Sequence, residues 1–251
     1  METKDLNILS YNINGLRQKL NTLKQFDNID IICIQETKLT KELPYLMKLK
    51  NYMDFHSTSK LKNGYSGVSI YTKILPKKII KPEWDNEGRV LVLEFDNTYL
   101  INVYVPNAGQ KLKRLKYKIN IWMNDFIHFI NTLKKDVIIV GDFNATTSNN
   151  IIDIHTQQSN VAGNTPIEMW MFNYFIKQTE TIDTFRQLYP NTKKYTYWSN
   201  FYNARTQNKG WRIDYVLIHK NLLQYVKNIE ILTDVYGSDH VPILLKISIL
   251  L

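Results

Sequence analysis

Cysteine, long apolar runs and several familiar motifs are scarce or absent in the 251-residue sequence. The single cysteine, Cys33, lies in the apolar run of residues 31–34, which predicts a buried small side chain rather than a nucleophile or metal ligand. Since one cysteine cannot form an intramolecular disulfide, we expect an intracellular, reducing compartment, nuclear or cytoplasmic according to the organism.

Membrane and secretion signals are missing too. No apolar run approaches the roughly 20 residues that a membrane span needs. The first residues, Met1 to Asp5, lead directly into a strand pattern, which leaves no room for a signal peptide. We therefore expect no membrane association.

Two common catalytic frames are also absent. The sequence has no Gly-x-Ser-x-Gly motif, and Ser238 stands beside Asp239 and His240 without an identifiable base and oxyanion frame. It has no Walker-type phosphate-binding loop. These absences argue against serine-nucleophile chemistry and against a P-loop protein.

Positive charge is in excess, with a net charge of +9 and a pI of about 9.3. Such a balance favours a polyanionic partner, most often nucleic acid. Compositional bias is the alternative, because Lys, Asn and Ile are all abundant, as an AT-rich genome would encourage. Charge alone leaves both readings open.

Apolar patterning predicts one α/β domain over residues 1–251, with two sheets packed face to face and helices outside. The helical period occurs at 16–26, 113–133 and 166–177, with Thr165, Pro166 and Glu168 as a helix start. Residues 186–210 lack periodicity and are predicted to be a long functional loop. Strands are predicted at residues 6–11, 29–34, 67–71, 90–95, 99–105, 137–140, 213–218, 226–232 and 241–251.

Polar residues collect where these strands begin or end. The clearest example is the buried strand 137–140, which Asp142 and Asn144 follow; a turn would explain this pair alone. Six such strand ends together predict one shared polar site. Its acidic residues and histidine are Glu36, Asp142, Asp214, Asp239 and His240.

The chemistry of this set favours a hard cation. Oxygen-rich sites suit Mg²⁺ or Mn²⁺, and clustered carboxylates without a cation would repel one another. A metal, one histidine and neutral amides suit phosphodiester hydrolysis, because they offset charge on the transition state while a carboxylate activates water.

With these polar strand ends, the sequence resembles the exonuclease III-type apurinic/apyrimidinic (AP) endonucleases, within the DNase I-like endonuclease/exonuclease/phosphatase superfamily. YVPNAG and NAR-x-x-N-x-GWR-x-DY are the more specific motifs and indicate the DNA-repair branch. The resemblance covers nearly the whole chain through SYNINGLR (10–17), IQETK (34–38), GYSG (64–67), EGRVLVLEF (87–95), YVPNAG (104–109), GDFNAT (141–146), AGNTPIE (162–168), YTYW (195–198), NARTQNKGWRIDY (203–215) and GSDHVPI (237–243).

The resemblance implies a four-layer α/β sandwich with mostly antiparallel sheets. It also implies catalytic roles. Asp142 would activate or orient the attacking water with Asn144 beside it, and His240, oriented by Asp214, would stabilise charge on the scissile phosphate. Two further side chains would hold that phosphate, Tyr104 and Asn107.

For the metal, the resemblance implies Mg²⁺, with Mn²⁺ as a substitute. Glu36 would be the main ligand, aided by Asp239 and Asn14. Asn12 would orient this cluster or touch phosphate; as an Asx-turn residue it would do neither.

For DNA, the resemblance implies a pocket for the abasic sugar formed by Tyr197, Trp211 and Ile213, which as plain core residues would need no function. Phe201 and Tyr202 fall where the family inserts a side chain through the minor groove. Contacts to the DNA are implied for Arg17, Tyr65, Arg89, Gln110 and Arg212, with isolated surface charges as the alternative.

Four positions depart from the family pattern. Val161 replaces an Asn, so one backbone contact is missing or comes from Asn160. Asn164 replaces an aromatic residue. Gln110 replaces the Arg of the animal enzymes, which puts tight grip on the nicked product in doubt. Asn14 replaces an Asp of some members and agrees with bacterial ones.

The resemblance therefore implies a monomeric DNA-repair enzyme that cuts duplex DNA 5′ to abasic sites, with 3′-phosphodiesterase, 3′-phosphatase and 3′–5′ exonuclease side activities. Its partner would be double-stranded DNA with abasic sites or blocked 3′ ends. Alternatives are a retrotransposon-type nicking endonuclease, another DNase I-like phosphodiesterase, and a catalytically inactive DNA-binding module.

Overall fold

The computed structural model describes residues 3–40, 47–148, 152–155 and 160–249. The strands are β1 (Lys4–Asn12), β2 (Ile31–Gln35), β3 (Met53–Ser57), β4 (Val68–Thr72), β5 (Lys78–Ile80), β6 (Val90–Glu94), β7 (Thr98–Tyr104), β8 (Asp136–Asp142), β9 (Thr181–Asp183), β10 (Tyr197–Trp198), β11 (Gly210–Trp211), β12 (Asp214–His219), β13 (Val226–Ile231) and β14 (Ile243–Ile249). The helices are α1 (Leu16–Leu23), α2 (Leu115–Tyr117), α3 (Met123–Thr132), α4 (Pro166–Gln178) and α5 (Thr184–Leu188). A π-helical segment, Lys118–Trp122, joins α2 to α3, and 3₁₀ turns lie at Lys24–Phe26, Gln110–Leu112 and Lys220–Tyr225.

The strands form two six-stranded sheets and one short hairpin. The first sheet has the order β13-β14-β1-β2-β4-β3, and the second has the order β5-β6-β7-β8-β12-β9. Each sheet is antiparallel except for one central parallel pair, β1 with β2 and β7 with β8. The hairpin consists of β10 and β11.

Apolar side chains on both faces of the central strands build the layers. In β8, Ile138 and Val140 face a core between the two sheets, whereas Val137 and Ile139 face α3 and α4. On the far side of the first sheet, α1 packs over a third core. Continuous apolar strands occur where both faces are covered. The predicted four-layer sandwich is confirmed, and Cys33 is fully buried as predicted.

Parallel pairing gathers the polar strand ends at one edge. Asn12, at the end of β1, pairs with Gln35 at the end of β2. Tyr104, at the end of β7, pairs with Asp142 at the end of β8. The antiparallel strand β12 begins at the same edge, with Asp214 opposite Asp142. Residues distant in sequence therefore meet there on rigid elements.

The nine predicted strands are all present, with bounds shifted by a few residues; residues 250–251 of the last predicted strand lie outside the described part of the chain. The helical period over 113–133 corresponds to helical structure from Leu115 to Thr132, in which the π-helical segment lies between α2 and α3. The predicted loop 186–210 is only partly a loop, since it starts inside α5 and contains the β10–β11 hairpin. The predicted start of α4 is confirmed: Thr165 and Glu168 form a capping box, with Pro166 in the first turn.

Within the described part of the chain, no helix combines the length and the apolar composition needed to span a lipid bilayer.

Candidate active site

Asn12 connects the two sheets at the polar edge. Its side-chain nitrogen donates to Oδ2 of Asp142 at 2.9 Å and to Oε1 of Glu36 at 3.1 Å. Its side-chain oxygen accepts from the backbone N–H of Asn14 at 3.1 Å. Because Asn12 is fully buried, this single carboxamide fixes two carboxylates from different sheets relative to each other.

Asp142 is buried and accepts hydrogen bonds on both carboxylate oxygens. Oδ1 accepts from the backbone N–H of Asn144 at 2.7 Å, and Oδ2 lies 3.3 Å from the side-chain nitrogen of Asn144. Asn144 has a left-handed φ of 48°, which Asn tolerates better than most residues, and accepts from Nδ2 of Asn107 at 2.8 Å. Burial, together with the neighbouring Asp214 carboxylate, raises the pKa of Asp142 to about 8.

His240 lies between two carboxylates. Its Nδ1 is 2.8 Å from Oδ2 of Asp214, and its Nε2 is 4.0 Å from Oδ2 of Asp142. Burial disfavours the charged ring, but the Asp214 carboxylate more than compensates and the pKa of His240 is raised to about 10. His240 is therefore a cation at neutral pH, oriented through Nδ1.

A lysine supplies positive charge beside Glu36. Nζ of Lys38 is 3.0 Å from Oε2 of Glu36 and donates to Oδ1 of Asn14. Asn14 in turn donates to Oδ1 of Asp239 at 3.0 Å. Burial alone would raise the pKa of Glu36, but Lys38 and the hydrogen bond from Asn12 lower it. Two of the predicted metal ligands, Glu36 and Asn14, thus bind an ammonium group.

The donor atoms at this edge fit a divalent cation. Ligand atoms of Glu36, Asp142 and His240 lie within 4.8 Å of one another. Two carboxylates that share the amide of Asn12 are stabilised by positive charge between them. Asp239, predicted as a ligand, lies outside this group of three. The acidic cluster can bind a metal, and its oxygen-rich donors suit a hard ion.

A cleft of about 710 Å³ opens over the cluster. Tyr197, Trp211 and Ile213, predicted to form the sugar pocket, form one part of its wall. The ring of Tyr197 has its centre 4.8 Å from that of His240. The cleft is also lined by Glu36, Tyr104, Asn107, Asn144, Asp239, His240, Phe201 and Tyr202, all of which were predicted, and by His155, Ser199 and Lys209, which were not.

Tyr104 presents its hydroxyl to this cleft while its ring is buried. The guanidinium of Arg89 lies 4.5 Å from the ring centre. Burial, reinforced by the Glu36 carboxylate, raises the pKa of Tyr104, so its hydroxyl stays protonated and can donate a hydrogen bond.

Several predicted DNA-contact residues are accessible. Arg17, Gln110, Phe201 and Tyr202 are exposed, and Tyr65 is half-buried. Phe201 and Tyr202 lie in the loop between β10 and β11, at the cleft. Their accessibility is compatible with the predicted roles.

Arg89 and Arg212, both predicted to contact DNA, are only 1% exposed. Nε of Arg89 is 2.6 Å from Oε2 of Glu87. Nε of Arg212 is 2.7 Å from Oδ1 of Asp153, and its Nη1 is 2.7 Å from Oδ2 of Asp183. A buried, ion-paired guanidinium cannot reach a backbone phosphate without leaving its partners.

Two of the departures from the family pattern, Val161 and Asn164, lie close together. Asn164 is fully buried, and its Oδ1 accepts from the hydroxyl of Thr146 at 2.6 Å. The backbone carbonyl of Val161 accepts from the N–H of Asn164 at 3.0 Å. Asn164 therefore braces the loop after β8 and does not face the cleft, whereas Asn160 is exposed.

The sequence did not predict the buried ion pair between Lys118 and Glu168, which lies beside Asn144. Lys118 is almost fully buried; its Nζ is 2.7 Å from Oε1 of Glu168 and donates to the backbone carbonyl of Asn144 at 2.7 Å. Glu168 also accepts from the N–H of Gly163, a residue that lines the cleft. Glu168 was predicted only as part of a helix start, and a lysine in a helical pattern gives no signal of burial.

Comparisons with known proteins support the family that the motifs indicate. Residues 9–240 match the endonuclease/exonuclease/phosphatase family. The chain is 34% identical to an exodeoxyribonuclease of Bacillus subtilis over 97% of this chain and 100% of that protein. It is 36% identical to the DNA repair nuclease APEX1 of Danio rerio over 98% of this chain and 83% of that protein.

The fold comparison agrees. The crystal structure of the AP endonuclease LMAP from Leishmania major is similar with a TM-score of 0.89 and 27% identity, covering 98% of this chain and 88% of that one. Sequence identity above 30% along the whole of a relative, a matching fold and a strand-end cluster of carboxylates and histidine all lead to one assignment. The chain belongs to the endonuclease/exonuclease/phosphatase family and is a nuclease of its exonuclease III-type AP endonuclease branch.

Proposed function

We propose that the protein is a Mg²⁺-dependent AP endonuclease that hydrolyses the phosphodiester 5′ to abasic sites in duplex DNA. The products would be a 3′-hydroxyl and a 5′-deoxyribose phosphate. One observation carries the proposal: Glu36 and His240, two members of the cluster with Asp142, line a cleft that has Tyr197 and Trp211 in its wall.

Asp142 is suited to accept a proton from the attacking water. Its carboxylate is fixed by Asn12 and Asn144, so it cannot rotate away from a water placed in line with the phosphorus. Its pKa of about 8 lies near neutral pH, where a general base is most effective.

His240 is suited to stabilise the phosphate. Its Nε2 points away from Asp214 and toward the cluster, and the ring is charged at neutral pH because its pKa is about 10. The Tyr104 hydroxyl and the Asn107 amide, which line the same cleft, would donate to other phosphate oxygens. Donors that are fixed before the reaction lower the barrier without reorganisation.

Glu36 would hold the metal, with Asp239 and Asn14 beside it. When bound, Mg²⁺ supplies positive charge that offsets the charge developing on the phosphate and the leaving oxygen. Lys38, which now neutralises Glu36, would be displaced from that carboxylate.

The cleft wall would select the substrate. A sugar without a base is small and largely apolar once it leaves the helix, and the rings of Tyr197 and Trp211 with Ile213 offer a matching surface. Phe201 and Tyr202 are exposed at the loop tip, where apolar side chains can act as a wedge in the minor groove. The same site could act at blocked 3′ ends, giving the 3′-phosphodiesterase, 3′-phosphatase and exonuclease activities as side reactions.

The test compares three labelled duplexes, one with a single tetrahydrofuran site, one intact and one with a blocked 3′ end, each with Mg²⁺, with Mn²⁺ or with EDTA. We expect a nick at the tetrahydrofuran site with either metal, slower release of the 3′ block, and no cutting with EDTA. Equal cutting of the intact duplex would contradict the abasic-site proposal and favour a nicking endonuclease. Binding without any nicking would favour a DNA-binding module.

A further inference from the structure

A second cavity lies on the other side of the β10–β11 hairpin. It has a volume of about 280 Å³ and is lined by Lys193, Lys194, Tyr195, Trp198, Arg205, Asn208, Thr233 and Tyr236. Successive side chains of a strand point to opposite faces. Accordingly Tyr197 lines the catalytic cleft, whereas Trp198 lines this second, cationic cavity.

The positive charge in the cationic cavity is unbalanced. None of its lining residues is acidic, and Lys193, Lys194 and Arg205 form no ion pair with a carboxylate of the described residues. By contrast, lysines such as Lys135 and Lys220 are paired with glutamates. Such a cavity has the charge of a site for an anion.

Arg205 makes the cavity rigid. Its Nη2 donates to the backbone carbonyls of Thr233 and Val235, each at 2.6 Å. Its guanidinium lies 4.1 Å from the ring centre of Tyr236 and 5.2 Å from that of Trp198. These contacts fix the loop of residues 199–209 to the β13–β14 connection, so the two lysines face a preformed wall.

We propose that the cationic cavity binds backbone phosphates of the DNA strand opposite the abasic site. This inference rests on the proposed function, in which Phe201 and Tyr202 enter the minor groove. That groove is about 6 Å wide and has one backbone on each side. A loop tip inserted there has the cleaved strand on its cleft side and the opposite strand on its other side, where Lys193 and Lys194 lie.

The test measures the affinity of the protein in EDTA for an abasic-site duplex and for the abasic strand alone, at several salt concentrations. For Lys193→Ala/Lys194→Ala we expect weaker duplex binding and a log–log salt slope shallower by about 1.8, since each phosphate contact contributes about 0.9. Affinity for the single strand should be unchanged, because only the duplex has an opposite strand. With Mg²⁺, the KM for duplex nicking should rise while kcat stays constant.

The control is Lys134→Ala/Lys227→Ala, which removes the same charge from exposed positions at the opposite edge of the sheets. A duplex slope equal to that of the control, or an equal loss of affinity for duplex and single strand, would overturn the inference. If the double variant does not fold, Lys193→Ala alone should change the slope by about 0.9. Failure of the wild-type protein to nick the abasic duplex would instead refute the proposed function itself.

Discussion

Asp142 and Arg212 are both 1% exposed and lie on neighbouring parts of one sheet edge, yet their surroundings differ. Arg212 binds Asp153 and Asp183, and Arg186 also binds Asp153 at 2.8 Å. Two cations thus face two carboxylates. Burial alone would raise the pKa of Asp153, but Arg212 outweighs burial and lowers it.

Around Asp142, charge is not matched. Glu36, Asp142 and Asp214 face one histidine, and Lys38 reaches only the outer carboxylate. The pKa of Asp142 is raised to about 8, whereas the pKa of Asp153 is lowered. Burying unmatched charge costs stability, and such costs are concentrated at functional sites. The ion pairs of Arg212 and Arg186 therefore stabilise this edge of the sheet, whereas the carboxylates around Asp142 are placed there for function.

The largest expected effect is that of Asp142→Asn on turnover. Loss of the proton acceptor should lower kcat for abasic-site nicking roughly 10⁴-fold, the upper range for a positioned acid or base. Stability should stay about equal at pH 7, where the Asp142 carboxyl is largely protonated, and should increase above about pH 8, where the substitution removes an unmatched charge. Single-turnover kinetics and urea unfolding of the same protein measure both quantities. Retained turnover, or a large loss of stability, would mean that Asp142 stabilises the fold, as Asp153 does, and is not the proton acceptor.

Arg212→Met should show the reverse pattern. It leaves Asp153 and Asp183 without their main cation, which typically costs about 3–5 kcal/mol for a buried pair. The kcat of the folded protein should change little. Urea unfolding measures the loss, and adding Asp153→Asn and Asp183→Asn should recover part of it. A loss below about 1 kcal/mol, typical of exposed pairs, would contradict the supporting role.

Lys118→Met should lower both the stability of the protein and its kcat. The substitution leaves Glu168 unpaired, at a cost of about 3 kcal/mol, and removes the hydrogen bond to the carbonyl of Asn144. Adding Glu168→Gln should restore most of the stability but not kcat, whereas Lys118→Arg should retain both. Thermal unfolding and kcat are measured for each variant. Full recovery of kcat in the double variant would mean that Lys118 serves stability alone.

Metal addition should stabilise the unmatched cluster. At a Mg²⁺ concentration about 100 times the Kd, binding adds about 2.7 kcal/mol to the free energy of unfolding. Glu36→Gln should remove most of this gain, while Glu94→Gln, at a surface ion pair, should keep it. Thermal unfolding with and without Mg²⁺ measures the difference, and an equal gain in both variants would refute metal binding at Glu36.

The sequence predicted nine of the strands and the carboxylate cluster for one physical reason. Continuous β-branched runs require cover on both faces, and polar residues directly after such runs must lie at sheet edges, as with Asp142 and Glu36. The buried ion pairs of Arg212 and Lys118 could not be predicted in this way. Arg212 and Lys118 resemble surface cations in sequence, because their partners Asp153 and Glu168 are distant along the chain. The hairpin escaped prediction since β10 and β11 have two residues each.

The pH dependence of stability should differ between two histidines, His56 and His240, whose side chains are at most 7% exposed and each lie beside an aspartate. His56 lies 3.0 Å from Oδ2 of Asp54, but burial outweighs this partner and lowers its pKa, whereas the pKa of His240 is raised to about 10. For His56 the unfolded chain binds the proton more readily, so stability present above about pH 6.5 is lost as pH falls through the lowered pKa. For His240 the sign is opposite: stability present below about pH 6.5 is lost as pH rises through about 10. Urea unfolding without metal should therefore show that His56→Asn removes an acid-side slope of at most about 1.4 kcal/mol per pH unit and that His240→Asn removes an alkaline-side one. Slopes of the same sign for both would mean that the carboxylates around His240 do not hold its charge.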